Sequence, residues 1–147
     1  MEPAKDSDGG VMFLEGSRLW KNYTFETMLD QEKISSISLL AYYQNDSNYI
    51  ACTFADSLLQ TTLRNKGEEK VIQKQEGDEI MFPKKNLKIG ISVSDKEVNC
   101  LLDGKSIQKT EINDLPWNKG GIGIKIWEKI RDGNQIMINE LKVRENE

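Results

Sequence analysis

Apolar and polar residues alternate along most of this chain, in runs too short for helices. The last third shows the pattern best. Leu87-Lys-Ile-Gly-Ile-Ser-Val93 and Val98-Asn-Cys-Leu-Leu102 flank a Ser-Asp-Lys-Glu turn, and Asp103-Gly104 follows. Gly120-Gly-Ile-Gly-Ile-Lys-Ile-Trp127 and Ile136-Met-Ile-Asn-Glu-Leu-Lys-Val143 come after Leu115-Pro116-Trp117. A period of two marks a strand with one buried face. Asp-Gly is the dipeptide that a two-residue hairpin loop selects, because both positions need positive φ.

The same reading holds upstream. Val11–Leu14 is a short apolar strand, and Tyr23–Leu29 and Ser36–Gln44 are longer ones. Asn45-Asp-Ser-Asn48 is a turn cluster, after which Tyr49–Phe54 returns as a hairpin partner. Leu58–Arg64 and Glu69–Gln73 flank a second turn at Asn65-Lys-Gly67. From Glu68 to Met81 the composition suits a helix, but Val71 and Ile72 make no apolar stripe and Gly77 interrupts it, so a strand and then a loop to Pro83 is expected. Pro3, Pro83 and Pro116 are placed outside strands. About a dozen short strands with regular turns predict an all-β fold, a two-sheet antiparallel sandwich or a barrel. Residues 11–147 read as one domain, with Met1–Gly10 as a flexible tail.

Composition narrows the chemistry. A chain of 147 residues with 30% charged side chains and a net charge of −4 suits one self-sufficient domain and lacks the basic stripe that nucleic acid requires. No run approaches the length of a membrane span, and no secretory signal precedes the first strand. A domain cut from a longer exported protein would read the same way, so the compartment stays open. The absence of histidine removes the commonest general base and zinc ligand. Cys52 and Cys100 both fall inside strand patterns, as two buried thiols or as one disulfide. Asp6, Asp8 and Gly9-Gly10 offer hard oxygen ligands for calcium, but an acidic terminus is expected to be mobile tail, and no cofactor is expected.

The order of these segments resembles one superfamily. Trp20-Lys-Asn-Tyr-Thr-Phe-Glu, Leu39-Leu-Ala-Tyr-Tyr-Gln-Asn-Asp-Ser-Asn-Tyr49-Ile, Leu101-Leu-Asp-Gly-Lys105, Gly120-Gly-Ile-Gly-Ile and Asn139-Glu-Leu-Lys-Val143 are similar to the concanavalin A-like lectin/glucanase class. The nearest branches are the laminin-G-like domains and the 3-keto-disaccharide hydrolase, or family-16-like, domains. The resemblance implies a jelly roll with one convex and one concave sheet, and a sugar held on the concave face or its rim. It implies an oligo- or polysaccharide partner and an accessory module within a larger carbohydrate-active or surface protein. An arginine common in the second motif is replaced here by Tyr42 or Tyr43, and the closing Asp pair by Asn139-Glu140.

The catalytic members of that class carry Glu-x-Asp-x-(x)-Glu on one strand, two carboxylates on one face at the spacing of a retaining glycosidase. Glu26 is followed by Met28 and Asp30, so that signature is absent. A hydrolase would need carboxylates from separate strands. A lectin site needs less: rings against the C–H faces of a sugar, with amides and charges for its hydroxyls. Strand parity supplies the candidates. With Phe25 inward, Glu26 faces out. With Leu39 and Ala41 inward, Tyr42 and Gln44 face out; with Ile50, Cys52 and Phe54 inward, so does Tyr49. Gln60, Thr62 and Arg64 share a face, and Lys125 and Trp127 oppose the isoleucines of Gly120–Trp127.

Glu26, Tyr42, Gln44, Tyr49, Arg64, Lys125 and Trp127 are therefore the expected ligand-binding set of a non-catalytic lectin-like module. Each has a plainer reading. Tyr42 and Tyr49 suit a cross-strand pair, Glu26 and Arg64 a surface ion pair, and Trp127 a cover for the sheet's end. Trp20, Tyr23 and Trp117 read as core or packing residues. A laminin-G-like structural or protein-interaction domain is the alternative to a lectin.

Overall fold

The computed structural model describes residues 2–3, 10–13, 20–29, 36–55, 58–76, 87–94, 96–113, 115–117, 119–126 and 138–146. Trp127, Asp30, Asp6, Asp8 and Gly9 lie outside them. The chain is a two-sheet antiparallel β-sandwich. Its strands are β1 (Glu2–Pro3), β2 (Gly10–Phe13), β3 (Tyr23–Leu29), β4 (Ser36–Asn45), β5 (Asn48–Ala55) and β6 (Leu58–Asn65). They continue with β7 (Glu68–Glu76), β8 (Leu87–Ser94), β9 (Glu97–Leu102), β10 (Lys105–Glu111), β11 (Gly121–Ile126) and β12 (Ile138–Glu145). A seven-stranded sheet runs β1-β2-β11-β4-β5-β6-β7 and a five-stranded sheet runs β10-β9-β8-β3-β12.

The turns form where the sequence places them. Lys66-Gly67 and Asp103-Gly104 all have positive φ, the conformation that lets a two-residue loop follow the twist of its strands. The Asn45 carboxamide oxygen accepts from the Ser47 amide at 2.9 Å and caps the β4–β5 turn. The ambiguous Glu68–Met81 stretch opens as strand, to Glu76. Pro3 departs from expectation. It lies in β1, at the end of the seven-stranded sheet, registered with Met12. An edge strand tolerates a residue with no amide to donate.

Inward-facing residues of both sheets make the core. Phe25, Ile89, Ile91 and Val93 of the five-stranded sheet meet Ile37, Leu39, Ile50, Phe54, Leu59, Ile122 and Ile124 of the seven-stranded one, each of them about fully buried. Cys52 on β5 and Cys100 on β9 are joined across the two sheets, with Cα atoms 5.8 Å apart. This resolves the choice that spacing left open. A buried polar bridge runs beside the disulfide. The Thr61 hydroxyl donates to Gln108 Oε1 at 2.7 Å, and Gln108 Nε2 donates to the Leu59 carbonyl at 3.3 Å.

Tyr23 ties β3 to the opposite sheet, and Trp117 is partly buried against the core, both as packing residues. The Tyr23 hydroxyl donates to the carbonyls of Gly120 and Gly121, at 3.1 and 2.9 Å, and accepts from the Tyr42 amide at 2.8 Å. Tyr23→Phe leaves those buried backbone groups short of a partner and is expected to cost about 1–3 kcal/mol. Burial pushes the Tyr23 hydroxyl well above the usual phenol range, and the bond from the Tyr42 amide only partly offsets this. In the unfolded chain the same group titrates near pH ~10. Above that pH the unfolded state releases the proton while the folded state keeps it, so stability held at lower pH is lost as pH rises. Urea midpoints of the wild type should fall above pH ~10. Tyr23→Phe should be weaker at neutral pH and fall less steeply; equal alkaline slopes would show that other groups govern the loss.

Candidate functional site

Beyond β4 the two surfaces of the sandwich differ. On the outer face of the five-stranded sheet, side chains satisfy one another. Thr24 donates to Ser92 Oγ at 2.9 Å, and Asn146 Nδ2 reaches Ser92 Oγ and the Val93 carbonyl, both at 3.1 Å. Ser106 donates to Asn99 Oδ1 at 2.6 Å. Glu26 lies on this face. Its carboxylate is 3.6 Å from Lys88 Nζ, it is only 9% exposed, and Lys142 is registered opposite it on β12.

The outer face of the seven-stranded sheet is different in character. Leu40, Tyr43, Tyr49 and Ala51 form a second apolar cluster there, separate from the core. The rings of Tyr43 and Tyr49 stack, with centroids 6.0 Å apart and planes 23° from parallel. Ser38 and Thr53 hydroxyls share a bond of 2.7 Å further along. Register places Tyr49 beside Arg64 and Arg64 beside Glu69, across β5, β6 and β7. The Tyr43 hydroxyl donates to Asp46 Oδ1 at the neighbouring turn. Gln60 and Thr62 continue the same face, and Lys125 on β11 is registered with Ser38.

Electrostatics converge on Tyr49 and Arg64. Burial raises the Tyr49 hydroxyl above the ordinary phenol value; the Arg64 guanidinium, hydrogen-bonded to it, pulls the other way, and Glu69 and Asp46 push it up again. Arg64 is half-buried, yet its Nε is fully shielded and has no hydrogen-bond partner. A buried donor without a partner is uncommon, and this one is shielded from the surface, so what Arg64 can offer a ligand is the exposed part of its side chain.

The expected set is thus divided. Tyr49, Arg64 and Lys125 share the outer face of the seven-stranded sheet. Glu26 belongs to the other sheet, on the opposite surface, and makes its ion pair with Lys88 rather than Arg64. Parity fixed which way Glu26 points from its own strand, but not which sheet that strand joins. Tyr42 is overturned outright: it points into the core and is 1% exposed. The register of β4 with both neighbours shifts here, between Ala41 and Asn45 on one side and Gly121 and Gly123 on the other. This bulge holds Tyr42 at φ 48 and turns Tyr43 outward in its place. Gln44, beyond the bulge, donates its amide to the Lys119 carbonyl. The ring that partners Tyr49 is consequently Tyr43, not the expected Tyr42.

Parity alone missed Tyr43, Asp46 and Glu69. A signal was present: two adjacent tyrosines pair with Gly120-Gly121, a combination that marks a bulge with a close backbone approach. Among the described residues no cluster of three or more Cys, Asp or Glu side chains is placed to hold a metal ion. No described helix is long and apolar enough to cross a membrane.

The sequence matches no protein-family model and no curated protein. Solved structures do match. The carbohydrate binding module CBM66 from Bacillus subtilis superposes with a TM-score of 0.74 at 13% identity, over 97% of this chain and 90% of that one. Chicken galectin 2 gives 0.64 at 16% identity, over 91% and 97%. A toad ovary galectin in complex with thio-digalactose gives 0.64 at 7% identity, over 95% and 100%. At these identities the shared property is the fold, a β-sandwich of the kind that lectins use.

Proposed function

We propose that the protein is a non-catalytic carbohydrate-binding module whose ligand lies on the outer face of the seven-stranded sheet. The observation that carries this reading is the alignment of Tyr49, Arg64 and Glu69 across adjacent strands, with Asp46 beside Tyr43 at the neighbouring turn, so that a half-buried guanidinium and two exposed carboxylates share one end of that face. An arginine fork and two carboxylates match the vicinal hydroxyls of a sugar ring. The structural likeness to a carbohydrate binding module and to galectins supports the same class of ligand.

Tyr43 and Tyr49 are 6% and 3% exposed and their hydroxyls are engaged by Asp46 and Arg64, so they support the site from beneath, and its open part is Arg64, Asp46 and Glu69. Recognition is then mainly polar, and any flat stacking surface falls to Trp127, which enters on strand parity alone. Few buried contacts offset the cost of association, so affinity lies in the micromolar to millimolar range, on the order of −4 to −8 kcal/mol. The finer placement we favour is the concanavalin A-like jelly roll, on the order of the strand motifs. The buried disulfide favours an oxidising compartment, outside the cell or at its surface.

A glycan array on wild type, Arg64→Ala and Trp127→Ala tests the reading. Arg64→Ala should lose about tenfold in apparent affinity for the best glycan while keeping its circular dichroism. No glycan bound by the wild type, or undiminished binding by the folded Arg64→Ala variant, rejects the proposed face.

A further inference from the structure

Among the described residues the seven-stranded sheet ends on β7, and that edge is open. Along Glu68–Glu76 only Ile72 and Gln75 are half-buried, and the rest are exposed. Among the described residues Val71 is the large apolar side chain left exposed, at 48%. A bare edge of this length is a template for another strand, and lysines or a bulge are the usual guards against it. Both are present in β7, but their positions make the edge complementary to itself.

The hairpin fixes which backbone groups face the opening. Asn65 and Glu68 close the two-residue Lys66-Gly67 loop, and a closing pair directs its amide and carbonyl across the ladder. By alternation Glu69 and Val71 aim theirs away from β6. The register slips between Thr61 and Thr62, which makes Ile72 the extra residue between Val71 and Gln73. Lys74, opposite Gln60, therefore rejoins the outward set. Glu69, Val71 and Lys74 thus share the outer face of the sheet and turn their backbone groups to the open edge. Without the extra residue, Glu69 and Lys74 would lie on opposite faces.

An antiparallel two-fold axis through Val71 sets Val71 against its own copy and Glu69 against the partner's Lys74, twice over. Lys70 then faces Gln73, and Glu68 faces Gln75. No like charges are opposed. Moving the axis one position toward the loop opposes Lys70 to Lys70, and moving it one position the other way opposes Glu69 to Glu76, so charge selects a single register. Lys74 Nζ is 3.0 Å from Glu76 within its own strand, but both side chains are more than half exposed, and such a pair costs little to exchange.

We propose that β7 is a self-association edge that joins two copies of this chain into one continuous antiparallel sheet. Glu69 belongs to the candidate sugar face, so the partner's Lys74 stands at the rim of that face, and the two faces lie side by side on one surface. This last consequence alone rests on the sugar-binding reading. Two weak sites on one surface gain avidity for a polymer.

The test is sedimentation equilibrium of the full chain, with no sugar present, from about 10 µM to about 1 mM. One strand pair is a small contact, so a dissociation constant on the order of 100 µM is expected. Glu69→Lys and Lys74→Glu should each weaken the dimer at least about tenfold, since each turns two attractive contacts into two repulsive ones. The two variants mixed together should associate, because every facing charge is then opposite, and Glu69→Lys/Lys74→Glu should dimerise with itself. Val71→Pro, whose missing amide faces the opening rather than β6, should remain a folded monomer by circular dichroism. Three outcomes overturn the proposal: a wild type that stays monomeric at the highest concentration, association that the single reversals leave unchanged, or mixed variants that stay apart. None of them bears on glycan binding around Tyr49 and Arg64, which the array measures separately.

Discussion

Gly120→Ala is expected to be the most damaging single-methyl change in the described chain. Gly120 sits at φ 153, a conformation L side chains rarely adopt, and a Cβ there would lie 2.3 Å from the Tyr42 carbonyl carbon and 2.6 Å from its Cα and oxygen. The clash is with backbone at a strand bulge, not with the end of a flexible side chain. Relief would require moving the bulge, and with it the carbonyl that Tyr23 binds. Backbone strain and overpacking each cost about 1–3 kcal/mol, so together on the order of 4 kcal/mol is expected. That is a large share of the roughly 5–15 kcal/mol that holds a domain folded. Thermal unfolding should drop by about 10 °C or more, or the variant should fail to accumulate as folded protein.

Gly104→Ala provides the control. It has φ 82, but nothing lies within 4 Å of its added Cβ. It should cost only the conformational part, about 1–2 kcal/mol. Equal losses for the two variants would mean that the close approach of Gly120 to Tyr42 is not what constrains the bulge.

Removing the Cys52–Cys100 bridge is expected to cost nearly as much by a different route. The two cysteines are 48 positions apart and lie in strands of opposite sheets. Closing a loop of that length in the unfolded chain accounts for about 4 kcal/mol in the chain-entropy model. The thiols themselves pack among core residues, so the folded structure should survive their removal with its sheets in register. Cys52→Ala/Cys100→Ala should shift the guanidinium midpoint downward by an amount equivalent to about 3–5 kcal/mol, and reduced wild type should behave alike. A loss below about 1 kcal/mol would show that interdigitated side chains alone set the sheet-to-sheet stability.

The Arg64 and Trp127 variants address function, and Tyr23→Phe addresses the same knot as Gly120→Ala from its polar side. Tyr23→Phe and Gly120→Ala share Tyr42 as partner and are expected to combine with less than additive loss.

Local alternation was enough to locate the strands. A half-buried strand must place apolar residues at every second position, so Phe25, Leu39, Ile50, Cys52, Ile89, Ile122 and Ile124 were legible as inward-facing. The two glycine hairpins were legible because positive φ at adjacent positions selects its residues. From such elements the sandwich follows, and with it the outward direction of Tyr49, Arg64 and Lys125. Tyr42 shows where that reasoning stops. One inserted residue reverses every parity after it, and the bulge is stabilised by Tyr23 and Gly120, far away in sequence. Glu26 shows the other limit: period-two spacing says which face of a strand a residue occupies and nothing about which sheet receives the strand. Sheet membership, the joining of Cys52 to Cys100 and the stacking of Tyr43 on Tyr49 depend on contacts between distant segments. Those contacts are chosen by the collective packing of the whole core, and only the folded chain fixes them.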